Sequence, residues 1–298
     1  MMPVDIAVVP VAGLGTRLLP ATKSQPKEML PVGRKPIVQY VFEELTGAGM
    51  RRILFVTGQG KSSIENHFDI NEELVQVLRE SGKEELLAEL AFERAPVQYF
   101  YTRQRQALGL GHAVLSARTF VGQQPFVVAL GDSIIGLNAQ SDVVARMTRA
   151  FDDLGAAAII AVEEVAPEEA HRYGIVHPRN GTGDLFELDG LIEKPPREQA
   201  PSNLAIAARY VLSPAIFEAL DQTPAGVGGE IQLTDAISRL IQQGRRVYGM
   251  RLRSDERRFD IGNFDAYFRA FVEFAIADGK HGPALRTFLQ HLVHDSDS

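Results

Sequence analysis

Residues 11–31 read Val-Ala-Gly-Leu-Gly-Thr-Arg-Leu-Leu-Pro-Ala-Thr-Lys-Ser-Gln-Pro-Lys-Glu-Met-Leu-Pro, a glycine turn and spaced cations directly after an apolar, β-branched run at 6–11. The pattern suits a polyphosphate. Bare Cα positions at Gly13 and Gly15, beside the small Ala12, let backbone N–H groups approach phosphate oxygens, while Arg17, Lys23 and Lys27 supply charge. Residues 1–40 hold five basic side chains (Arg17, Lys23, Lys27, Arg34, Lys35) against two acidic ones (Asp5, Glu28), a local +3 in a chain of net charge −7.

Two other phosphate loops are excluded. A dinucleotide fingerprint needs a third glycine where Leu18 stands. A Walker A loop ending in Gly60-Lys61-Ser62 needs its first glycine at position 55, which is Phe55. That stretch reads instead as a loop entering a helix capped by Ser62 or Ser63. Asp132 follows the apolar run 125–130 and Gly131, so its carboxylate projects at a sheet edge, where a hard cation could bridge it to phosphate. The alternative is a turn, or a cap for a helix near Ser141. None of the seven histidines has a credible zinc spacing; His112, His291 and His294 read as structural or solvent-facing.

These residues need elements to hold them. Strand-like runs at 6–11, 53–57, 97–102, 126–130 and 157–162 alternate with helical patterns, which predicts an α/β fold with a Rossmann-like, mostly parallel sheet flanked by helices. Ligands in such sheets sit beyond the carboxyl ends of strands, where the 11–31 loop and Gly131-Asp132 both fall. Pro36 opens a predicted helix in its first turn, stopped by Gly47 and Gly49. Residues 71–92 read as a charged helical pair broken near Gly82, suited to packing or subunit contact. Short strands within 174–211, divided by Gly181-Thr182-Gly183 and Pro195-Pro196, predict a small antiparallel lobe at about 165–225. Helices are predicted over 229–243 and 264–277, then a short apolar helix past His281 and a frayed end.

At 298 residues and 45% hydrophobic content the chain can bury a full core. A pI near 5.6 argues against general nucleic-acid binding. There is no cysteine, so neither disulfides nor thiolate metal sites form. No apolar run reaches the ~20 residues of a membrane helix, and no signal peptide is evident; a cytoplasmic protein is expected.

From about residue 5 to 277 the chain resembles the sugar-nucleotide pyrophosphorylases, in four blocks that keep the family's order. They are residues 11–31; Gln104-Arg105-Gln106-Ala107-Leu108-Gly109-Leu110-Gly111-His112-Ala113-Val114; Leu191-Ile192-Glu193-Lys194-Pro195 with Pro201-Ser202-Asn203-Leu204-Ala205; and Gly228-Gly229-Glu230-Ile231-Gln232-Leu233-Thr234-Asp235-Ala236. Lys27-Glu28-Met29-Leu30 is similar to the uridylyl-transferring branch. The resemblance implies one nucleotidyltransferase catalytic domain over 1–280, a tail at 281–298, and a homo-oligomer (dimer or tetramer). It implies that UTP and glucose 1-phosphate give UDP-glucose and pyrophosphate with Mg2+.

Such a reaction needs no protein general base, because a sugar phosphate with a second pKa of about 6 is already ionised. Positioning and charge suffice. By resemblance, Arg17 and Lys27 are the catalytic cations, Asp132 the magnesium ligand, and Asp260 either a second metal ligand or a helix N-cap. Ala12, Gly13 and Gly15 would cradle the nucleotide. Glu193 and Lys194 would hold sugar and phosphate, Gly174 would add a backbone contact, and Asn203 is a further sugar candidate. Gln104 can offer a carbonyl and an NH2 to the uracil edge, with Gly109 and Gly111 letting the backbone approach the base. Gln104 facing water, a non-catalytic regulatory paralogue, and a thymidylyl- or adenylyl-transferase on the same scaffold are the competing readings.

Overall fold

The computed structural model describes residues 3–181 and 183–296. Thr182, in the predicted Gly181-Thr182-Gly183 division, and Asp297 and Ser298, in the predicted frayed end, lie outside the described residues. The strands are β1 (Ile6–Pro10), β2 (Pro31–Val32), β3 (Lys35–Pro36), β4 (Arg52–Thr57), β5 (Gln98–Arg103), β6 (Phe126–Ala129), β7 (Ser133–Ile135), β8 (Ala158–Glu164), β9 (Gly174–Pro178), β10 (Leu185–Glu193), β11 (Leu204–Leu212), β12 (Val247–Arg251) and β13 (Arg258–Asp260). The helices are α1 (Ile37–Gly47), α2 (Ser62–Phe68), α3 (Glu72–Glu80), α4 (Leu110–Leu115), α5 (Arg118–Val121), α6 (Val143–Leu154), α7 (Ala215–Asp221), α8 (Leu233–Gln242), α9 (Phe264–Ala277) and α10 (Gly282–Ser296).

Among the described residues, nine strands form one sheet in the order β5-β4-β1-β6-β11-β8-β12-β10-β9. All but β10 and β11 run in one direction, as the antiparallel pairings of those two strands show. This is the mixed α/β sheet that the sequence pattern predicts. The alternating strand side chains decide the packing. Ile6 and Val8 of β1 join the buried cluster on one face, with Ala113 and Val114 of α4, whereas Ala7 and Val9 join the cluster on the other, which includes Val41 and Phe42 of α1 and Met147 of α6. Helices on both faces explain why β1 and β6 are apolar almost throughout. A third cluster packs Leu18 and Leu30 with Ile37 of α1, Ile134 of β7, Phe259 of β13 and Phe274 of α9. Leu18, 1% exposed, thereby anchors the far end of the glycine turn; full burial of such a side chain stabilises by roughly 1.5–3 kcal/mol.

Several boundaries differ from the sequence reading. Pro36 caps α1 from an extended conformation (ψ 148°) and stands outside its first turn. Neither serine caps α2; Lys61 is the capping residue, with no side-chain cap bond. The helical pair is α3 and a 3-10 stretch at Glu84–Arg94, separated near Gly82, whose φ is +66°. α8 starts at Leu233 because Gly228 and Gly229 hold φ values of +73° and +72°, outside right-handed helix space. The antiparallel excursion of β9 and β10 hydrogen-bonds into the main sheet through β11 and β12, extending it. None of the described helices is long and apolar enough to cross a membrane.

Candidate active site

Parallel pairing of β1 with β6 sets their carboxyl ends side by side. The glycine turn leaves β1 there, and the turn at 130–132 leaves β6. Gly131 is required at the crossing, because a Cβ would lie 2.5 Å from Val11 Cγ1. Gly15, at φ +68°, reverses the chain into a 3-10 turn at Thr16–Leu18, and its carbonyl accepts the Thr22 hydroxyl at 2.8 Å. Gly13 is open on its Cα side, with only Lys27 Cε nearby at 3.9 Å. Ala12, Gly13, Gly15, Arg17 and Lys27 line a cavity of about 450 Å3, which Gln104, Gly109 and Asp132 complete. Lys23 is exposed and lines no part of it, so the third cation of the motif stays outside.

Lys27 donates to Asp132 Oδ2 in a close ion pair. Burial pushes Asp132 up, but the Lys27 ammonium outweighs it and, with Arg17, holds that carboxyl below the usual range. Burial works against charge on Lys27 as well; Asp132, Glu28 and Asp260 overcome it and keep the amine above its ordinary value. Arg17 is exposed, and among the described residues it has no ion-pair partner, which leaves its guanidinium available to an anion.

Asp260 reaches the same place from the other end of the sequence. β13 pairs antiparallel with β7, setting Asp260 opposite Ser133, and Ile261 N–H donates to the Asp132 carbonyl at 3.1 Å. The helix-cap alternative fails, since Asn263 caps α9 by accepting Ala266 N–H at 2.9 Å. Burial and the neighbouring Asp132 charge raise Asp260, against the pull of Arg258, Lys27 and Arg17. Two neighbouring carboxylates in mutual repulsion are a hard-oxygen donor set that suits a divalent cation. Among the described residues no cluster of three or more His, Asp or Glu could cage one, so a cation here would need water or phosphate oxygens in its shell.

A second cavity, of about 240 Å3, adjoins the first. Asp132, Leu110, Leu130 and Glu230 line both. Glu193, Lys194, Gly174 and Asp260 line the second and not the first. Thr234, in the first turn of α8, donates to Glu193 Oε2 at 2.7 Å, fixing the carboxylate from a different block of sequence. Lys194 Nζ sits 3.3 Å from Glu193 Oε1, and its residue holds φ +45°, the kind of backbone strain that gathers at functional sites. At Gly174 a Cβ would meet Ile206 Cδ1 at 2.8 Å and crowd Glu193 and Thr234 at 3.2 Å, so a side chain there would displace the ends of all three. Asn203 lines neither cavity; its amide donates to Glu164 at 2.7 Å.

The Gln104 block departs from its predicted geometry. Gln104 is buried, and both NH2 protons are used inside the loop, on Gly109 O and on His112 Nδ1, each at 3.0 Å. Only its carbonyl remains for a base. Gly109 and Gly111 face the loop before α8. A Cβ on Gly109 would lie 2.7 Å from Glu230 Cβ, and one on Gly111 2.7 Å from the Ile231 carbonyl that Gly111 N–H binds. Their missing side chains admit Ile231, and Gly111 lies outside the lining of either cavity.

The family profile described as "Nucleotidyl transferase" matches residues 6–275. UTP–glucose-1-phosphate uridylyltransferase 2 of Staphylococcus saprophyticus is 42% identical over 292 residues, covering 98% of this chain and 99% of that protein. The chain belongs to the nucleotidyl transferase family, in its UTP–glucose-1-phosphate uridylyltransferase branch. Among solved structures, a UTP-bound UGPase from Acinetobacter baumannii superposes with a TM-score of 0.88 at 40% identity, over 97% of this chain and 99% of that one. A UDP-glucose pyrophosphorylase complexed with UDP-glucose superposes at 0.83 and 34% identity, over 92% of this chain and 100% of that one.

Three residues at the uridylyltransferase-type site were not singled out in the sequence. Glu28, 2% exposed, lines the larger cavity and accepts Lys61 Nζ at 2.9 Å. Burial raises its pKa despite Lys61 and Lys27. Lys61, the false Walker lysine, thus serves as its buried counter-charge. Arg258 pairs with Glu163, lies 3.5 Å from Asp260, and stacks over the Tyr173 ring at 4.6 Å. Its one sequence signal was a basic pair directly before Phe259-Asp260. Glu230 lies on the wall common to both cavities, inside a block already quoted.

Proposed function

We propose that this chain transfers the uridylyl group of UTP to glucose 1-phosphate, giving UDP-glucose and pyrophosphate. The observation that carries the reading is the junction of a phosphate-loop cavity and a carboxylate-bearing cavity at Asp132 and Lys27. The triphosphate lies along Ala12, Gly13 and Gly15, with Arg17 and Lys27 against its charge. Glucose 1-phosphate occupies the smaller cavity, its hydroxyls read by Glu193 and the Gly174 backbone and its phosphate held by Lys194. An ionised phosphate oxygen of the sugar attacks the α-phosphorus of UTP in line. The new O–P bond forms as the bond to the β-phosphate oxygen breaks, and pyrophosphate leaves with that electron pair. No protein base takes part, and the site's work is positioning and charge stabilisation.

Enzymes of this family generally use a divalent metal, and here it is proposed to be Mg2+, held by Asp132 and Asp260. When bound it neutralises phosphate oxygens around the reacting phosphorus. The Gln104 carbonyl accepts the uracil N3–H. The proposal includes a cytoplasmic homo-oligomer, dimer or tetramer. Incubating the protein with UTP, glucose 1-phosphate and magnesium and following 31P NMR tests the reaction: UDP-glucose and pyrophosphate resonances are expected, and unchanged substrates would leave the regulatory reading in their place.

A further inference from the structure

Glu44 of α1 and Arg209 of β11 form an ion pair in which neither side chain is exposed. The geometry is fork to fork, with Nη2 to Oε2 at 2.6 Å and Nε to Oε1 at 3.0 Å. Arg209 spends its other bonds on backbone carbonyls, Ser133 at 2.9 Å and Ala208 at 3.0 Å. Both carbonyls belong to segments at the cavity junction. Ser133 follows Asp132, and Ala208 lines the smaller cavity beside it. Ala208 sits at φ +59°, in the irregular stretch of β11 between Ile206 and Tyr210, and its carbonyl also accepts Leu130 N–H at 3.1 Å. A non-glycine residue at such a φ persists only where its surroundings over-determine it.

A buried ion pair is weak evidence for stability, because well-packed apolar residues of the same volume often serve as well or better. Its placement supplies another account. We infer that the Glu44–Arg209 pair is a positioning device for Asp132. It clamps the 130–133 turn to the 208 bulge, so that the carboxylate stays at the junction of the two cavities. Arg209 touches no substrate; Glu44, bound to Nε and Nη2, orients its guanidinium beneath the site. The inference rests on the proposed metal role of Asp132.

The test compares Asp132→Asn, Arg209→Lys and the double variant Glu44→Leu with Arg209→Met. Thermal melting reports the fold, and water-proton relaxation enhancement reports Mn2+ in the ternary complex with UTP, independently of turnover. The double variant is expected to melt within a few degrees of the parent, yet to bind Mn2+ at least ~10-fold more weakly, with kcat falling in step and the glucose 1-phosphate KM moving less than about threefold. Arg209→Lys should fall between them, since an ammonium keeps the charge but cannot span Glu44 and both carbonyls. A folded double variant with parental Mn2+ affinity and kcat overturns the inference. If that variant does not fold, parental Mn2+ affinity in Arg209→Lys overturns it equally. Parental Mn2+ affinity in Asp132→Asn would defeat the metal reading itself, whereas loss there with unchanged binding in both pair variants strikes the positioning role alone.

Discussion

Lys27 lines the larger cavity and is tied to Asp132, and it is proposed to face the reacting phosphates. Lys27→Ala should cut kcat by ~10²-fold or more, the scale of losing one preorganised contact to transition-state charge. Steady-state pyrophosphate release checks this, and near-normal turnover would remove Lys27 from the chemistry. Gln104 gives a different expectation. With its NH2 committed to Gly109 and His112, the proposed base reading rests on its carbonyl, which would separate uracil, whose N3 donates, from cytosine, whose N3 accepts. Gln104→Ala should erode the preference for UTP over CTP by about 1–3 kcal/mol, the cost of one mispaired buried polar group. Competition between the two triphosphates measures it, and unchanged discrimination would place base reading in the backbone. That Lys27 and Asp132 would meet at one cavity was legible in the sequence, because each follows a glycine turn at the carboxyl end of an apolar strand. The commitment of Gln104, the Glu28–Lys61 pair and the outward position of Asn203 were not, because each depends on a partner that only the fold supplies.

The elements around the site are docked by contacts that admit no side chain. Gly111→Ala would place a Cβ 2.7 Å from Ile231 O and 2.9 Å from Leu220 Cδ2, forcing the 104–111 loop off the approach to α8. Overpacking of this kind costs about 1–3 kcal/mol, so the variant should melt lower and bind UTP more weakly. A calorimetric scan with and without UTP reads both, and parental behaviour would show that the loop is not held by this contact. At the α9–α10 junction, Asp278 accepts Lys280 N–H at 2.9 Å, His281 N–H at 2.8 Å and Arg34 Nε at 2.7 Å. These hydrogen bonds, led by the one from His281, bring its carboxyl down to about 2. A depressed carboxyl adds stability above the unfolded value of about 4 and loses it as pH falls toward the folded one. Protection of the Lys280 and His281 amides, corrected for intrinsic exchange, should therefore fall between pH ~4 and ~2, and constant protection would contradict the tie. Element existence was readable from apolar runs and the spacing between them. The start of α8 was not, because Gly228 and Gly229 take positive φ in a loop that docks against the 104–111 segment.

For the whole molecule, a chain of net charge −7 has to receive two anions, and it does so by concentrating cations where β1 and β6 end together. One sheet brings the four sequence blocks, spread from residue 11 to residue 236, around two cavities that meet at Asp132. The order of the blocks and the alternation of strands and helices were enough to predict that gathering. The entry of β9 and β10 into the main sheet was not, since antiparallel strands read alike whether they close a lobe or extend an edge. The most direct measurement is pyrophosphate release over four nucleoside triphosphates and several sugar 1-phosphates, with magnesium present and the protein folded. The account predicts rapid release from UTP with glucose 1-phosphate and little from any other pair. No release from that pair, or a clear preference for a thymidine or adenine nucleotide, would contradict it.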